Sequence, residues 1–345
     1  MHSSIGRETM STRTLPARAA VLVPFTLVLA MLLCSCEDDN CATCPDPVEP
    51  APVGWFVQET PTTELLSNLH VFDASRAIAV GGAGTMIRTT DGGETWSLVN
   101  TGTTVQLRDL YFLNATHGWT VGDNGVALRT TDGGLTWAAL TLPVITNNRE
   151  VEFVSETTGW IGGGPTAGQT VEPVLMKTID GGQTWDVLST SYTPRTMFFV
   201  DPDSGCVAGG GTLMRTNDAG ATWEEVACGA YGWIGCLFFA NPQRGWVSGS
   251  GGFIARTVDG GRTWQTLNSA TTRNVTELYF VDENVGWYVT GATGTIATTT
   301  NGGDTWRFQG CPVESTTSDV TFASADIGWV SGGDGLILKT VTGGW

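Results

Sequence analysis

A nine-residue box recurs along the chain, and its spacing constrains the fold more than any other feature of the sequence. The box reads RTTDGGETW at 88–96 and returns as RTTDGGLTW (129–137), KTIDGGQTW (177–185), RTNDAGATW (215–223), RTVDGGRTW (256–264) and TTTNGGDTW (298–306). Its closing tryptophans follow one another at separations of 41, 48, 38, 41 and 42 residues. Repeats of about 40–50 residues that contain short strands are typical of propeller blades. The sequence therefore predicts an all-β propeller.

Each repeat has room for four strands. In the second repeat, which reads LRDLYFLNATHGWTVGDNGVALRTTDGGLTWAAL, we assign strands to residues 107–113, 118–122, 126–131 and 136–141. The apolar runs are short, Gly and Asn separate them, and no window has sustained helical spacing. A Gly-Trp pair opens the second strand of five repeats, while Ile78 and Cys206 take the tryptophan position in the other two.

The seventh repeat is incomplete, and the start of the repeat region supplies what it lacks. Residues 318–345 provide three strands and end at Trp345, whereas GWFVQETP at 54–61 has the shape of a fourth strand such as TWAALTLP at 136–143. An open ring would leave two unpaired strand edges, which invite aggregation. We therefore predict a seven-bladed β-propeller whose last blade is closed by the N-terminal strand 54–60.

The recurring box predicts a tight turn between the third and fourth strands. An Asp carboxylate can accept N–H groups of its own turn, and a Gly two positions later allows positive φ. The tryptophan is expected to pack between blades. We therefore expect a structural and not a catalytic role for the residues at the Asp position, which are Asp91, Asp132, Asp180, Asp218, Asp259 and the substitute Asn301.

The N-terminal region has the pattern of an export signal. Arg7, Arg13 and Arg18 precede the apolar run AAVLVPFTLVLAMLLCS, which ends in LCSC. This resembles a bacterial lipoprotein box with Cys36 as the lipidated residue, and an ordinary cleaved signal is the alternative. We expect three regions: a lipoprotein signal peptide (1–35), an acidic Pro-rich linker (36–53) and the propeller (54–345). The expected location is the cell envelope, on the outer membrane and facing the periplasm.

The repeats carry a family resemblance. The box resembles the Asp-box of bacterial neuraminidase (BNR) repeats, and units of the form LxFxxxxxGWxVGxxGxIxRTxDGGxTWxxL resemble the photosystem II stability/assembly factor family of seven-bladed propellers. The resemblance covers 54–345. It implies a non-enzymatic scaffold that binds a protein partner such as a membrane-protein intermediate, with no cofactor and no catalytic residue. We expect a monomer, and the net charge of −17 argues against a nucleic-acid partner.

A candidate binding site follows from aligning the blades. In this topology the first strand of each blade lines the channel, and the Asp-boxes lie on the face opposite the loops that join blades. Seven residues take one equivalent place, just before each channel strand: Asn68, Asp109, Glu150, Thr196, Cys236, Glu277 and Asp319. Four of them are acidic and are candidate channel-mouth residues.

Arginines precede three of these positions. Arg108, Arg149 and Arg195 lie on consecutive blades, and Arg273 lies in a nearby loop. Because the family carries an arginine patch, we take these four as candidate partner-binding residues. The alternative is that each arginine pairs with a neighbouring acidic residue and only solvates the rim. The insertion at 162–173 is expected on the same face, where it either contacts a partner or has no effect on function.

A glycoside hydrolase, sialidase-like or glucanase-like, is the rival function. A sialidase requires a Tyr–Glu nucleophile pair, for which the sequence offers no recognisable context, whereas two acidic residues across a channel could serve a glucanase. We assign no role to His70 and His117.

The cysteines leave their pairing open. Cys41 and Cys44 form a disulfide or remain linker thiols, without the second pair that a zinc site needs. Cys228 and Cys236 flank a turn between blades and could bridge or stay free.

Overall fold

Seven four-stranded antiparallel sheets make up the computed structural model, which describes residues 54–165, 172–190, 192–291 and 294–345. The first strand of each sheet packs against the first strand of the next sheet, and the seventh packs against the first. The sheets therefore close into a ring around a channel, and the predicted seven-bladed propeller is confirmed. The expected signal peptide and linker, with Cys36, Cys41 and Cys44, lie outside the described residues.

The strands are short, as blades of this size require. Blade 7 begins the chain with β1 (Phe56–Gln58). Blade 1 contains β2 (Leu66–Val71), β3 (Ala77–Gly81), β4 (Met86–Thr89) and β5 (Ser97–Leu98). Blade 2 contains β6 (Leu107–Phe112), β7 (Gly118–Gly122), β8 (Ala127–Thr130) and β9 (Ala138–Ala139). Blade 3 contains β10 (Asn147–Phe153), β11 (Gly159–Gly164), β12 (Val174–Thr178) and β13 (Asp186–Ser189).

The remaining blades repeat this order. Blade 4 contains β14 (Thr196–Phe199), β15 (Gly205–Gly209), β16 (Thr212–Thr216) and β17 (Glu224–Glu225). Blade 5 contains β18 (Ile234–Phe239), β19 (Gly245–Gly249), β20 (Phe253–Thr257) and β21 (Gln265–Asn268). Blade 6 contains β22 (Val275–Phe280), β23 (Gly286–Thr290), β24 (Thr295–Thr299) and β25 (Arg307–Gln309). Blade 7 adds β26 (Thr317–Phe322), β27 (Gly328–Gly332) and β28 (Ile337–Thr340).

One-turn 3-10 helices join the second and third strands of four blades. They are Gly82–Gly84, Asp123–Gly125, Ser250–Gly252 and Gly333–Gly335. Within the described part of the chain, no helix is long and apolar enough to cross a bilayer.

The ring is closed by the two ends of the repeat region. Strand β1 pairs antiparallel with β28, with Phe56 opposite Lys339. Just before β1, the buried Trp55 donates from Nε1 to Oε1 of Gln309 at 2.8 Å and meets Phe322 edge to face. The predicted closure of blade 7 by the N-terminal strand is confirmed, and it removes both free edges.

Tryptophans of the second strands pack the blades together. Four of the five stack on the phenylalanine that ends the first strand of the following blade, with centroids 3.5–3.6 Å apart: Trp119–Phe153, Trp160–Phe199, Trp246–Phe280 and Trp287–Phe322. All four indoles are fully buried. Burying an indole removes about 150–250 Å² from water, which at about 25 cal/mol/Å² stabilises the fold by at most roughly 4–6 kcal/mol.

The Asp-box turns are organised by one carboxylate each. In the first box, Asp91 Oδ1 accepts the N–H of Thr95 at 3.0 Å and the hydroxyl of Thr89 at 2.8 Å. These hydrogen bonds, led by the one from the Thr95 hydroxyl, lower the pKa of Asp91 to about 2. Gly93 has φ +87°, the left-handed region open to glycine. Asn301 accepts the N–H of Thr305 in the same way.

Candidate functional site

A β-bulge in most first strands sets the geometry of the channel mouth. In six blades the pairing register between the first and second strands skips one residue, and the skipped residues include Arg108 and Arg149. A bulged residue is unpaired and its side chain is re-aimed, which places these arginines off the regular strand pattern. The seven aligned residues lie inside the first strands, directly after the bulge or at the strand start, and not before the strands as predicted.

Three of the predicted arginines form a cluster, which we call the arginine cluster (Arg108, Arg149 and Arg195). Burial and the charge of Arg108 lower the pKa of Arg149. Burial, followed by the charges of Arg149 and Arg108, lowers the pKa of Arg195 to about 10. These repulsions mean that the three guanidinium groups lie within electrostatic range of one another.

The partners of these arginines differ. Arg108 holds Asp123 with two parallel hydrogen bonds, of 2.5 Å from Nε and 2.9 Å from Nη2. Arg195 lies 5.0 Å from the ring centroid of Trp233. Among the described residues, neither Arg149 nor Arg195 has a carboxylate within 4 Å. Within the arginine cluster, the alternative in which each arginine pairs with an acidic neighbour therefore describes Arg108 alone.

Two buried donors at the cluster have no acceptor in the described part of the chain. They are Nε of Arg149 and Nε1 of Trp233. A buried donor without a partner costs about 1–3 kcal/mol, and an incoming acceptor would remove that cost. Arg273 is exposed on blade 6, two blades beyond Arg195, with its Nη1 3.5 Å from Oγ1 of Thr295.

The acidic candidates lie on the channel strands, and two of them accept hydrogen bonds from the neighbouring blade. Asp109 Oδ2 accepts the N–H of Val151 on the next blade at 2.7 Å. Asp319 Oδ2 accepts the N–H of Leu69 at 2.7 Å across the seam between the last blade and the first. These carboxylates therefore have structural partners before any ligand is considered.

Burial and mutual repulsion change the ionisation of these carboxylates. Burial raises the pKa of Asp109 to about 6 and that of Asp319 to about 7. Burial also raises the pKa of Glu150 and Glu277, and the nearest carboxylates, Asp109 for Glu150 and Asp319 for Glu277, raise it further. Across the described residues, no group of three or more His, Cys, Asp or Glu side chains is arranged to hold a metal ion.

A fifth channel carboxylate was missed by the sequence analysis. Glu152 is buried, and its two oxygens accept the N–H of Phe199 on the next blade at 3.0 and 2.9 Å. The sequence alone could have identified Glu152, because it is the one acidic residue at a strand position that holds Tyr111, Phe238 or Tyr279 in other blades.

The cysteines of the propeller do not form the bridge considered from the sequence. Cys228, Cys236, Cys206 and Cys311 are all free thiols. Cys236 Sγ points to the carbonyl of Leu278 at 3.6 Å, in a different apolar cluster from Cys228. The central part of the 162–173 insertion, residues 166–171, lies outside the described residues.

Comparison with known proteins agrees with this architecture. The family model described as "Photosynthesis system II assembly factor YCF48" matches residues 94–234, and that of the BNR/Asp-box repeat matches residues 87–98. The chain is therefore a propeller with Asp-box repeats that is similar to this assembly-factor family over residues 94–234. No curated protein sequence matches it significantly.

Solved structures share the fold of this assembly factor-like chain. A structure titled "YCF48 bound to D1 peptide" is 22% identical, covers 85% of this chain and 99% of its own, and superposes with a TM-score of 0.69. YCF48 from Cyanidioschyzon merolae is 19% identical over 83% of this chain and 98% of its own, with a TM-score of 0.68. The GH74 xyloglucanase from Xanthomonas campestris is 13% identical, and the alignment covers 85% of this chain and 54% of the xyloglucanase, with a TM-score of 0.65. At these identities the likeness concerns the fold.

Proposed function

We propose that this assembly factor-like propeller is a non-enzymatic protein-binding scaffold whose arginine cluster holds an acidic segment of a partner protein. The observation that carries the proposal is the pair Arg149 and Arg195. Each is about half-buried, each is repelled by the other cations, and neither has a carboxylate partner in the described residues. An anion that binds there lowers the free energy, because it relieves the repulsion between the cations.

The chemistry of the cluster favours carboxylates over other groups. A guanidinium presents a planar fork that binds a carboxylate with two parallel hydrogen bonds. The Trp233 ring supports Arg195 from one side, and Asp123 fixes Arg108 from another. The donors are therefore oriented before binding, which lowers the entropic cost of recognition. Loops at the rim of a rigid scaffold commonly carry such recognition.

A peptide partner has support from a relative. The structure titled "YCF48 bound to D1 peptide" is a propeller of the same family with a bound peptide. By analogy, the partner of this chain would be a membrane-protein intermediate, bound through an exposed acidic segment. We further propose that Cys36 anchors the protein by a lipid to the outer membrane, so that the acidic linker holds the propeller in the periplasm.

The hydrolase alternative has less support. Asp109 and Asp319, which a glucanase-like site would employ, already accept backbone N–H groups at blade seams. Their loss would therefore disturb the ring itself. Turnover of xyloglucan or of aryl-glycosides by the purified protein would establish this alternative and overturn the non-enzymatic proposal.

Affinity capture from envelope fractions tests the scaffold proposal. The tagged wild-type protein is compared with the double charge reversal Arg149→Glu/Arg195→Glu and with the control Arg262→Glu/Arg307→Glu, which changes the same charge at exposed residues outside the cluster. We expect the wild type and the control to recover the same partner and the cluster variant to lose it. Equal recovery by all three folded proteins would refute the assignment of the site.

A further inference from the structure

The tryptophans of the second strands occupy sockets between blades, and blade 5 shows what such a socket contains. The Trp246 ring stacks on Phe280 at 3.6 Å, and its Nε1 donates to the carbonyl of Gly302 at 2.9 Å. Arg256, which pairs with Trp246 across the sheet, donates to the same carbonyl at 3.0 Å. In other blades the basic residue lies over the indole, as Lys177 does over Trp160 at 5.3 Å.

Blade 4 keeps the socket but lacks the tryptophan. Cys206 pairs with Arg215 just as Trp246 pairs with Arg256, and Phe239 and Gly260 take the places of Phe280 and Gly302. The carbonyl of Gly260 accepts Nε of Arg215 at 3.3 Å. A cavity of about 400 Å³ lies here, and its walls include Cys206, Arg215, Phe239 and Gly260. The socket walls therefore remain where the indole is missing.

The loss of the tryptophan does not by itself leave a hole, as blade 1 demonstrates. There Ile78 replaces the tryptophan, and His70, Phe72 and Phe112 pack together with ring centroids 4.6–4.9 Å apart. The blade 4 counterpart of Phe72 is Val200, which lines the cavity and is too small to fill it. The cavity is thus a specific feature of blade 4.

The Phe198 ring, which forms one wall of the cavity, lies closer to the position of the missing indole than its counterpart in blade 5 does. The rings of Phe198 and Phe239 stack with centroids 4.6 Å apart, whereas the equivalent pair in blade 5, Phe238 and Phe280, is 6.3 Å apart with Trp246 between the strands. Phe198 therefore covers part of the surface that an indole covers elsewhere. Returning it to the position of its counterpart would free the stacking face of Phe239.

We infer that this cavity is a binding site for a planar aromatic group of indole size, which takes the place of the missing tryptophan. Phe239 supplies a stacking face, Arg215 supplies a cation for the ring, and the Gly260 carbonyl supplies an acceptor for a ring N–H. A buried apolar cavity of about 150 Å³ is enough to bind benzene, so the space is sufficient. Burial raises the pKa of the Cys206 thiol to about 12, so the thiol stays protonated at neutral pH and adds a neutral wall to the cavity.

The site is separate from the arginine cluster. Its walls include Asp259 and Arg262 of an Asp-box turn, whereas the cluster lies with the loops at the other end of the strands. Loss of aromatic binding would therefore leave the scaffold proposal untouched, and loss of the protein partner would leave this one untouched.

Indole itself is the probe. Titration monitored by 1H–15N NMR is expected to show saturable binding, with shifts at Cys206, Phe239 and Gly260, whereas cyclohexanol binds at least about tenfold more weakly because it has no aromatic face. C206W, which restores the tryptophan, and V200F, which copies blade 1, should each weaken indole binding at least about tenfold. The matched control V187F makes the same change as V200F at a valine of similar exposure on blade 3, outside the cavity, and should leave the affinity unchanged.

Two further arms complete the test. N-acetyltryptophanamide distinguishes a tryptophan side chain of a partner from a free heterocycle: equal affinity to indole favours the side chain, and much weaker binding favours the free compound. V200F keeps the test decisive if C206W does not fold, since Val200 is a partly exposed residue. Indole shifts that do not saturate, or that persist unchanged in the folded cavity-filling variants, would overturn the inference.

Discussion

Replacing Trp55 by Ala is the sharpest test of how the ring is held shut. Trp55 precedes β1, the strand that completes blade 7 by pairing with β28. Its side chain is 6% exposed, it donates to Gln309 at 2.8 Å, and it meets Phe322 edge to face at 5.8 Å. The substitution therefore removes an anchor of the N-terminal strand without changing the strand itself.

The expected loss of stability is large. Truncating a buried Trp to Ala costs about 3–5 kcal/mol, because apolar contacts are lost and a cavity remains. Gln309 also loses a hydrogen-bond donor, although its own Nε2 still donates to the Gly343 carbonyl. At roughly 2–3 °C per kcal/mol for a domain of this size, Tm should fall by about 6–15 °C. Loosening of β1 would also expose the edge of β28 and promote aggregation.

Thermal unfolding followed by circular dichroism measures this loss, and size-exclusion chromatography measures the aggregation. Trp345→Ala is the matched control, since it removes the same side chain at the other terminus, where 46% of it is exposed. We expect the control to change Tm by less than about 3 °C. A Trp55→Ala protein with the Tm and elution volume of the control would refute the closure mechanism.

Three further experiments test other parts of the ring. Burial raises the pKa of Asp109 to about 6, so the stability contributed by its protonated form is fully present below about pH 4 and is lost as the pH rises through 6. Urea unfolding should therefore show Asp109→Asn gaining about 3 kcal/mol relative to wild type between pH 4 and pH 8. Asp132→Ala should lose about 1 kcal/mol in the same assay, whereas Asp132→Asn keeps the turn acceptor and loses less; equal losses would argue against the turn role. Gly252→Ala should cost at least about 3 kcal/mol, because φ is +79° and a Cβ would also lie 1.9 Å from the Thr271 carbonyl oxygen. Gly251→Ala has a similar φ of +66° but open space around it, so it should cost only about 1 kcal/mol, and similar costs at the two positions would contradict the clash.

The seven-bladed architecture could be predicted from the sequence because each blade is encoded by one short, contiguous repeat, and the same repeat occurs many times. Six copies of the Asp-box fix the period, and the unmatched segment around Trp55 identifies the closing strand without any long-range information. The strands of the second repeat lie within the predicted ranges, with the fourth reduced to Ala138–Ala139. Its brevity reflects the outer edge of a blade, which packs against one neighbour only.

The site was less predictable, because it depends on contacts between blades. Alignment put Arg108, Arg149 and Arg195 on neighbouring blades, but the bulge that turns Arg108 and Arg149 off the strand pattern leaves no signal in the sequence. The partner of Arg108 is Asp123 on its own blade, fifteen residues further along the chain. The cavity beside Cys206 was likewise hidden, since only the packing reveals whether neighbours fill the space of a missing indole.

The most direct test of the central claim is a fluorescence anisotropy titration with a labelled, glutamate-rich decapeptide. We predict saturable binding to the wild type, a Kd about 100-fold higher for Arg149→Glu/Arg195→Glu, and a Kd within about threefold of wild type for Arg262→Glu/Arg307→Glu. The matching glutamine-rich peptide should not bind. Equal affinity of the two charge-reversed proteins, or of the two peptides, would contradict the account.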